Sequence, residues 1–268
     1  VSAFRRVIPR FPAVFILLFL IPGLFGKRLF HVEQDESSSY PKKCLVTVVY
    51  DGDTIGVRFE NGQSKKVRLI GIDAPEMDAI NDEARFRALM AKRFAFFYLY
   101  RKNIELSYDR ELEDTYGRLL AYVWTESEGL FNKFILEQGF ASVLLYFPFR
   151  ADFRKEFMEA EKDARRQGKG LWHEGPYPSI ELYRWKENLG TIITVILTCD
   201  HSEQQGKFYF LYDSGGEFSA LIPQESLPLF PDAKKYKGKT LSITGFLEEF
   251  KGKSQILVFL PFQIRMVD

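Results

Sequence analysis

The stretch Val67-Arg68-Leu69-Ile70-Gly71-Ile72-Asp73-Ala74-Pro75-Glu76 decides how this chain is read. Asp51-Gly52-Asp53-Thr54 precedes it at short range, and Tyr116-Gly117-Arg118 follows it. Asp53 comes after a turn-forming Asp-Gly pair and opens a strand over residues 55–59. Asn61-Gly62 has the chemistry of a hairpin turn, and residues 67–72 read as the returning strand. Arg68, Asp73 and Glu76 then sit on or just past a strand that pairs with the one beginning at Asp53. Two acids brought together in this way suit a hard divalent cation, which prefers carboxylate and carbonyl oxygens. Two arginines offer planar forks of donors to a phosphate. A third acid is left for water. This is the inventory of metal-assisted phosphodiester cleavage. Taken singly, Arg68, Asp73 or Glu76 reads better as a solvated surface charge; the ordered set is what carries weight.

These motifs, in this order and at these separations, resemble the staphylococcal nuclease (thermonuclease) family. The resemblance covers roughly residues 43–174 and extends to Asp109 and Asp114, to Gly139-Phe140-Ala141, and to Gly170-Leu171-Trp172. It implies a five-stranded Greek-key barrel of oligonucleotide-binding (OB) type with the site on its surface. It further implies that Asp53 and Asp73 are calcium carboxylates and that Ala74 adds a backbone carbonyl. The family usually has Thr at that point, a change a carbonyl ligand tolerates. Arg68 and Arg118 would bind the scissile phosphate, Glu76 would orient or deprotonate the attacking water, and Tyr116 would flank the nucleotide or pack in its turn. One departure concerns the wall against base and sugar, where the family has tyrosines and this chain has Leu144-Leu145-Tyr146-Phe147. The loop between Glu76 and the first helix is also short. Both leave the chemical residues in place and bear on substrate preference.

Composition agrees without leading. At 268 residues, 46% hydrophobic and 27% charged, the chain describes a globular protein of two modest domains plus a tail. A net charge of +1 excludes bulk attraction to nucleic acid, so phosphate recognition must come from placed arginines. Strands are expected at residues 45–49, 54–60, 65–72, 104–108 and 119–125, and helices at 81–100, 130–138 and 152–167. The last is amphipathic, with Phe153, Phe157 and Ala160 on one face.

The first thirty residues differ in kind. Arg5, Arg6 and Arg10 precede an apolar run over residues 11–25, and Lys27-Arg28 follow it. This reads as an export signal or a short membrane anchor, with attachment through residues 11–26 as one outcome. Residues 31–42 form a polar linker, Ser-rich in part. The expectation is a secreted or membrane-anchored protein with its first domain outside the cytoplasm. Cys44 and Cys199 are the only cysteines, and two separately buried thiols are expected rather than a bridge. Neither cysteine nor any His has zinc spacing.

A nuclease-like domain over residues 43–177 is followed by a second β region over 186–268. Strands are expected at 191–199, 207–213, 217–223, 239–249 and 254–267, with a helical connection over 225–236. Five strands of this kind resemble a second OB-type barrel, with Gly245 suggesting a bulge at a barrel corner. Phe208, Phe210 and Tyr212 alternate with Tyr209 and Leu211, so one set fills the core and the other is free to stack on bases. From Lys186 onward nine Lys and Arg face ten Asp and Glu, which makes no basic stripe. The fold class is therefore mainly β with helices (α+β): a nuclease-type OB barrel with three helices, then a five-stranded OB-like barrel. The expected function is a calcium-dependent endonuclease acting on DNA, RNA or both. The rival is a non-catalytic nucleic-acid-binding or scaffolding module of the same fold, although all five acids and arginines are retained.

Overall fold

The computed structural model describes residues 40–145, 149–230 and 233–267. The first barrel contains β1 (Lys43–Val49), β2 (Thr54–Phe59), β3 (Ser64–Leu69), the short β4 (Ile72–Asp73), α1 (Asp82–Leu99), β5 (Asn103–Ser107) and β6 (Leu119–Thr125). It continues through β7 (Gly129–Leu130), α2 (Phe131–Glu137), β8 (Ser142–Val143) and α3 (Ala151–Arg166). The sheet order is β3-β2-β1-β5-β6, and a parallel pairing of β3 with β6 closes the cylinder. Alternation places Val46, Ile55, Val57, Val67, Leu69 and Leu106 inside, so each strand turns its other face outward.

The expected strand over residues 65–72 is in fact two. It stops at Leu69, Gly71 turns at φ 76°, and Ile72–Asp73 pairs instead with Ser142–Val143. A Cβ on Gly71 would lie 2.9 Å from the Phe157 ring, so both backbone angle and space require glycine there. The break re-aims Asp73 away from the barrel wall.

Asn81 caps α1 by accepting the Ala84 N–H at 2.8 Å. Phe86, Ala88, Met90, Ala91, Phe94, Ala95 and Leu99 of this helix are all buried. Such a spread of apolar positions exceeds one face, and a helix apolar most of the way round must be covered on two sides.

The second cover is the C-terminal barrel. After β9 (Ser179–Ile180) it comprises β10 (Ile192–Gln205), β11 (Phe208–Asp213), β12 (Phe218–Pro223), β13 (Thr240–Phe250), β14 (Lys253–Leu257) and β15 (Ile264–Val267). Its first five strands repeat the order of the first barrel, with β12 and β14 parallel and β13 closing on β10. Both barrels are thus OB-type. Three details differ from the sequence reading. The connection over 225–236 holds short 3-10 turns, Leu227–Leu229 and Ala233–Tyr236, in place of a helix, since Pro228 and Pro231 remove donors. Residues 254–267 form two strands separated at Pro261. Gly245 carries no register shift; it sits where β13 changes partner from β10 to β14, and its Cβ would meet Ile256 at 2.5 Å.

Phe246 of β13 belongs to the core of the first barrel and lies 5.9 Å from Phe97 and 6.2 Å from Phe94 between ring centroids. Next to it Arg93 of α1 and Glu248 of β13 form a buried ion pair, and Glu248 also accepts the Gln255 amide at 2.8 Å. In β11, Leu211 faces the second core with Tyr209 packed against it. Phe208, Phe210 and Tyr212 stand on the outer side, where Tyr212 stacks on Phe210 at 5.4 Å and on His201 at 6.0 Å.

Cys44 and Cys199 are free and buried in different cores, and burial pushes the Cys44 thiol up to about 12. The export or anchor segment over residues 11–25 and the Tyr146-Phe147 wall lie outside the described residues. Among the described residues no helix is long and apolar enough to cross a membrane.

Candidate functional site

Asp53 opens β2 but its side chain turns inward, only 7% exposed. Its backbone N–H donates to Asp51 Oδ1 at 3.0 Å, an Asx-type turn that fixes the loop. One carboxylate oxygen accepts the Thr54 hydroxyl at 2.9 Å and faces Arg68 Nε at 3.2 Å. The other accepts the Ala74 N–H at 2.6 Å. Burial raises the Asp53 carboxyl most, Arg68 opposes it, and Asp51 adds to the rise; the group is pushed up to about 7.

Arg68 is the hub. Nη1 donates to the Leu69 and Ile72 carbonyls at 2.9 and 2.7 Å, and Nη2 donates to Asp73 Oδ1 at 3.0 Å. Asp53 and Asp73, one at the head of β2 and one past the Gly71 turn, therefore meet on one guanidinium. Asp73 is about half exposed and Asp53 is not, so the pair has a buried member and a solvent-facing one.

Arg118 follows a turn built by Asp114, whose Oδ1 accepts the N–H groups of Tyr116 and Arg118, both at 2.9 Å. Asp114 Oδ2 takes Arg118 Nε at 2.7 Å. Burial opposes the Asp114 charge, yet these hydrogen bonds outweigh it and hold the carboxyl below its ordinary value. Within the described residues the two terminal nitrogens of Arg118 have no hydrogen-bond partner, so its outer fork remains free. Tyr116 is 84% exposed, with the Arg118 guanidinium 5.5 Å from its ring centroid. Glu76 is exposed on the loop after Ala74 and makes no hydrogen bond or ion pair with the described residues.

Arg68, Arg118, Tyr116, Leu120 and Leu144 line a cleft of about 260 Å³, with Asp114 on its wall. The structure thus brings Arg68, Arg118 and Tyr116 to one cleft and joins Asp53, Asp73 and Ala74 through Arg68 and one hydrogen bond. Among the described residues no three Asp, Glu, His or Cys gather at one point; the donor set here is two carboxylates. Two such oxygens with a neighbouring carbonyl fit a hard cation and do not fit zinc.

Sequence reasoning gave no role to Asp114, which aims Arg118; its signal was the Asp-x-x-Gly turn spacing. Nor did it find Gly52 and Ala91. A Cβ on Gly52 would lie 2.6 Å from Ala74 Cβ and 3.0 Å from Ala91 Cβ, so α1 presses directly on the loop of Asp53. Asn132, fully buried, ties Val123 to the Ile70 carbonyl at 2.9 Å on each side.

A closed OB-type barrel with acids and arginines arranged in this way defines a nuclease-type domain. The chain belongs to the staphylococcal nuclease family: the profile of that family, "Staphylococcal nuclease homologue", matches residues 66–174. It is 38% identical to the thermonuclease of Staphylococcus intermedius over 128 residues, covering 48% of this chain and 74% of that protein. It is 34% identical to the thermonuclease of Staphylococcus hyicus over 136 residues, 51% of this chain and 79% of the relative. An uncharacterized endonuclease of Haemophilus influenzae is 30% identical over 143 residues, 53% and 72% of the two chains.

Proposed function

We propose that this chain is a calcium-dependent endonuclease that hydrolyses phosphodiester bonds of DNA, RNA or both. The observation that carries the reading is the convergence of Asp53 and Asp73 on Arg68 at the edge of a cleft shared with Arg118. Asp53, Asp73 and the Ala74 carbonyl would hold the cation, which when bound polarises the phosphate as a Lewis acid. Arg68, held through Nη1 by the Leu69 and Ile72 carbonyls, would offer Nη2, which here donates to the half-exposed Asp73, to the phosphate. Arg118, anchored through Nε, presents its free terminal nitrogens to the same group. Both take up negative charge as phosphorus becomes five-coordinate. Glu76, unpaired and exposed, accepts a proton from the attacking water. The water oxygen bonds to phosphorus, the bond to the leaving oxygen breaks, and that oxygen takes a proton from solvent.

Single strands and flexible duplex are the preferred substrates, because the cleft must close round a phosphate. The apolar run over residues 11–25 with its basic flanks supports export or anchoring outside the cytoplasm, where calcium is abundant. The test is cleavage of DNA and RNA by the purified chain with calcium and with a chelator. Undiminished cleavage in chelator removes the calcium assignment. No cleavage in either favours a binding module.

A further inference from the structure

The outer face of β2 and β3 carries basic and aromatic side chains that the site does not use. Gly56 pairs with Val48 on one side and Lys66 on the other, and lacks a side chain between them. The Tyr50 ring lies beside that gap, where a Cβ on Gly56 would meet Tyr50 Cε2 at 3.4 Å. Lys66 Nζ sits 4.4 Å from the centre of the same ring. Tyr50 is 42% exposed, and Lys66 is exposed and in no ion pair among the described residues. One step further along β2, Arg58 opposite Ser64 is likewise exposed and unpaired among the described residues.

This face reaches the cleft through Arg68, which lines it. Lys66 and Arg68 are two apart on β3, so they share a face about 7 Å from each other by strand rise. β3 runs parallel to β6 with Val67 opposite Leu119 and Arg68 opposite Leu120. Lys66 immediately precedes the first residue of β3 paired with β6, and Arg118 immediately precedes β6, so both lie at the same end of this parallel pair. Lys66 is therefore two residues from Arg68 on one face and at the Arg118 end of the β3–β6 pair, with the Tyr50 ring against its ammonium. A positive charge one residue spacing from the scissile phosphate, followed by an exposed ring, matches the next phosphate and base of a single strand. The face of the second and third strands is also where OB barrels take oligonucleotides.

We propose that Lys66 and Tyr50 form a nucleotide subsite beside the scissile position, Lys66 holding the adjoining phosphate and Tyr50 stacking its base, with Arg58 next on the path. The assignment rests on the nuclease reading and deepens it. A protein ligand or a bare surface cation–π pair are the competing accounts.

The test uses the full chain carrying K66A, Y50A or, as a charge-matched control, K155A on an exposed position of α3. Turnover is followed in calcium on single strands with one phosphate and with several. Binding of a fluorescent single strand is measured against salt in the E76Q background. K66A should raise KM on the longer strands about tenfold and much less on the one-phosphate substrate. It should also make the slope of log affinity against log salt shallower by about 0.7, the loss of one phosphate contact. Y50A should raise KM about five-fold or more without changing that slope, and K155A should match wild type. Equal losses on short and long strands, or an unchanged slope in K66A while wild type cleaves normally, overturn the subsite and leave the nuclease reading standing. Absence of cleavage and binding by wild type overturns both.

Discussion

The Asp53 carboxylate accepts the Ala74 backbone N–H at 2.6 Å, so the acid at the head of β2 and the turn carrying Asp73 are held as one unit. Arg68 closes that unit by touching both acids. The cost is a buried carboxylate whose charge is opposed by burial first and by Asp51 next.

That cost gives a pH signature. With its folded value pushed up to about 7 against an ordinary value of 3.8, Asp53 binds more protons folded than unfolded between those limits. In chelator, stability should therefore fall as pH rises from about 4 through about 7 and then level off. Asp53→Asn should flatten this segment and also abolish the response of activity to calcium. Denaturant melts across pH with calcium titrations check both; a wild-type profile rising through the window contradicts the assignment.

Glu76→Gln and Arg118→Lys should each lower kcat by about a hundred-fold or more with native melting curves, because in the proposed mechanism both act mainly in the transition state. Lysine replaces the charge of Arg118 but not its Nε bond to Asp114 together with a free fork. Near-native turnover in either variant would place the chemistry elsewhere.

Gly52→Ala should be disproportionately harmful for so small a change in a loop. Its methyl would overlap Ala74 and crowd Ala91, forcing the loop of Asp53 from α1 at a cost of about 1–3 kcal/mol. The expected result is a lower melting temperature together with a weaker calcium response. Wild-type behaviour in both would show that the loop yields freely.

Deleting the second barrel should unfold or aggregate the first, not merely weaken substrate binding, because Phe246 fills a core shared with Phe94 and Phe140. Phe246→Ala should cost about 3–5 kcal/mol. Arg93→Met or Glu248→Leu alone should each destabilise by about 3–5 kcal/mol by leaving a buried charge, and the double variant by less. Chemical denaturation of the four chains tests the cycle; additive losses would mean that the pair is not coupled.

The sequence by itself determined the two barrels and named the candidate site residues. Alternating apolar positions fix which face of each strand is buried, and Asp-Gly and Asn-Gly fix where the chain reverses, both local effects. What local signals missed were breaks in nearly continuous apolar stretches: Gly71 separates Ile72 from β3, and Pro261 divides the last expected strand, each decided by which partner strand is in reach. Tertiary structure alone decided that α1 is pressed from both sides, by the Gly52 loop and by Phe246, because contacts between residues so far apart in sequence leave no periodic trace. It also decided that Asp114 aims Arg118 and that Lys66 and Arg118 fall at the same end of one strand pair, since the parallel register of β3 and β6 is a property of the closed barrel and not of either strand.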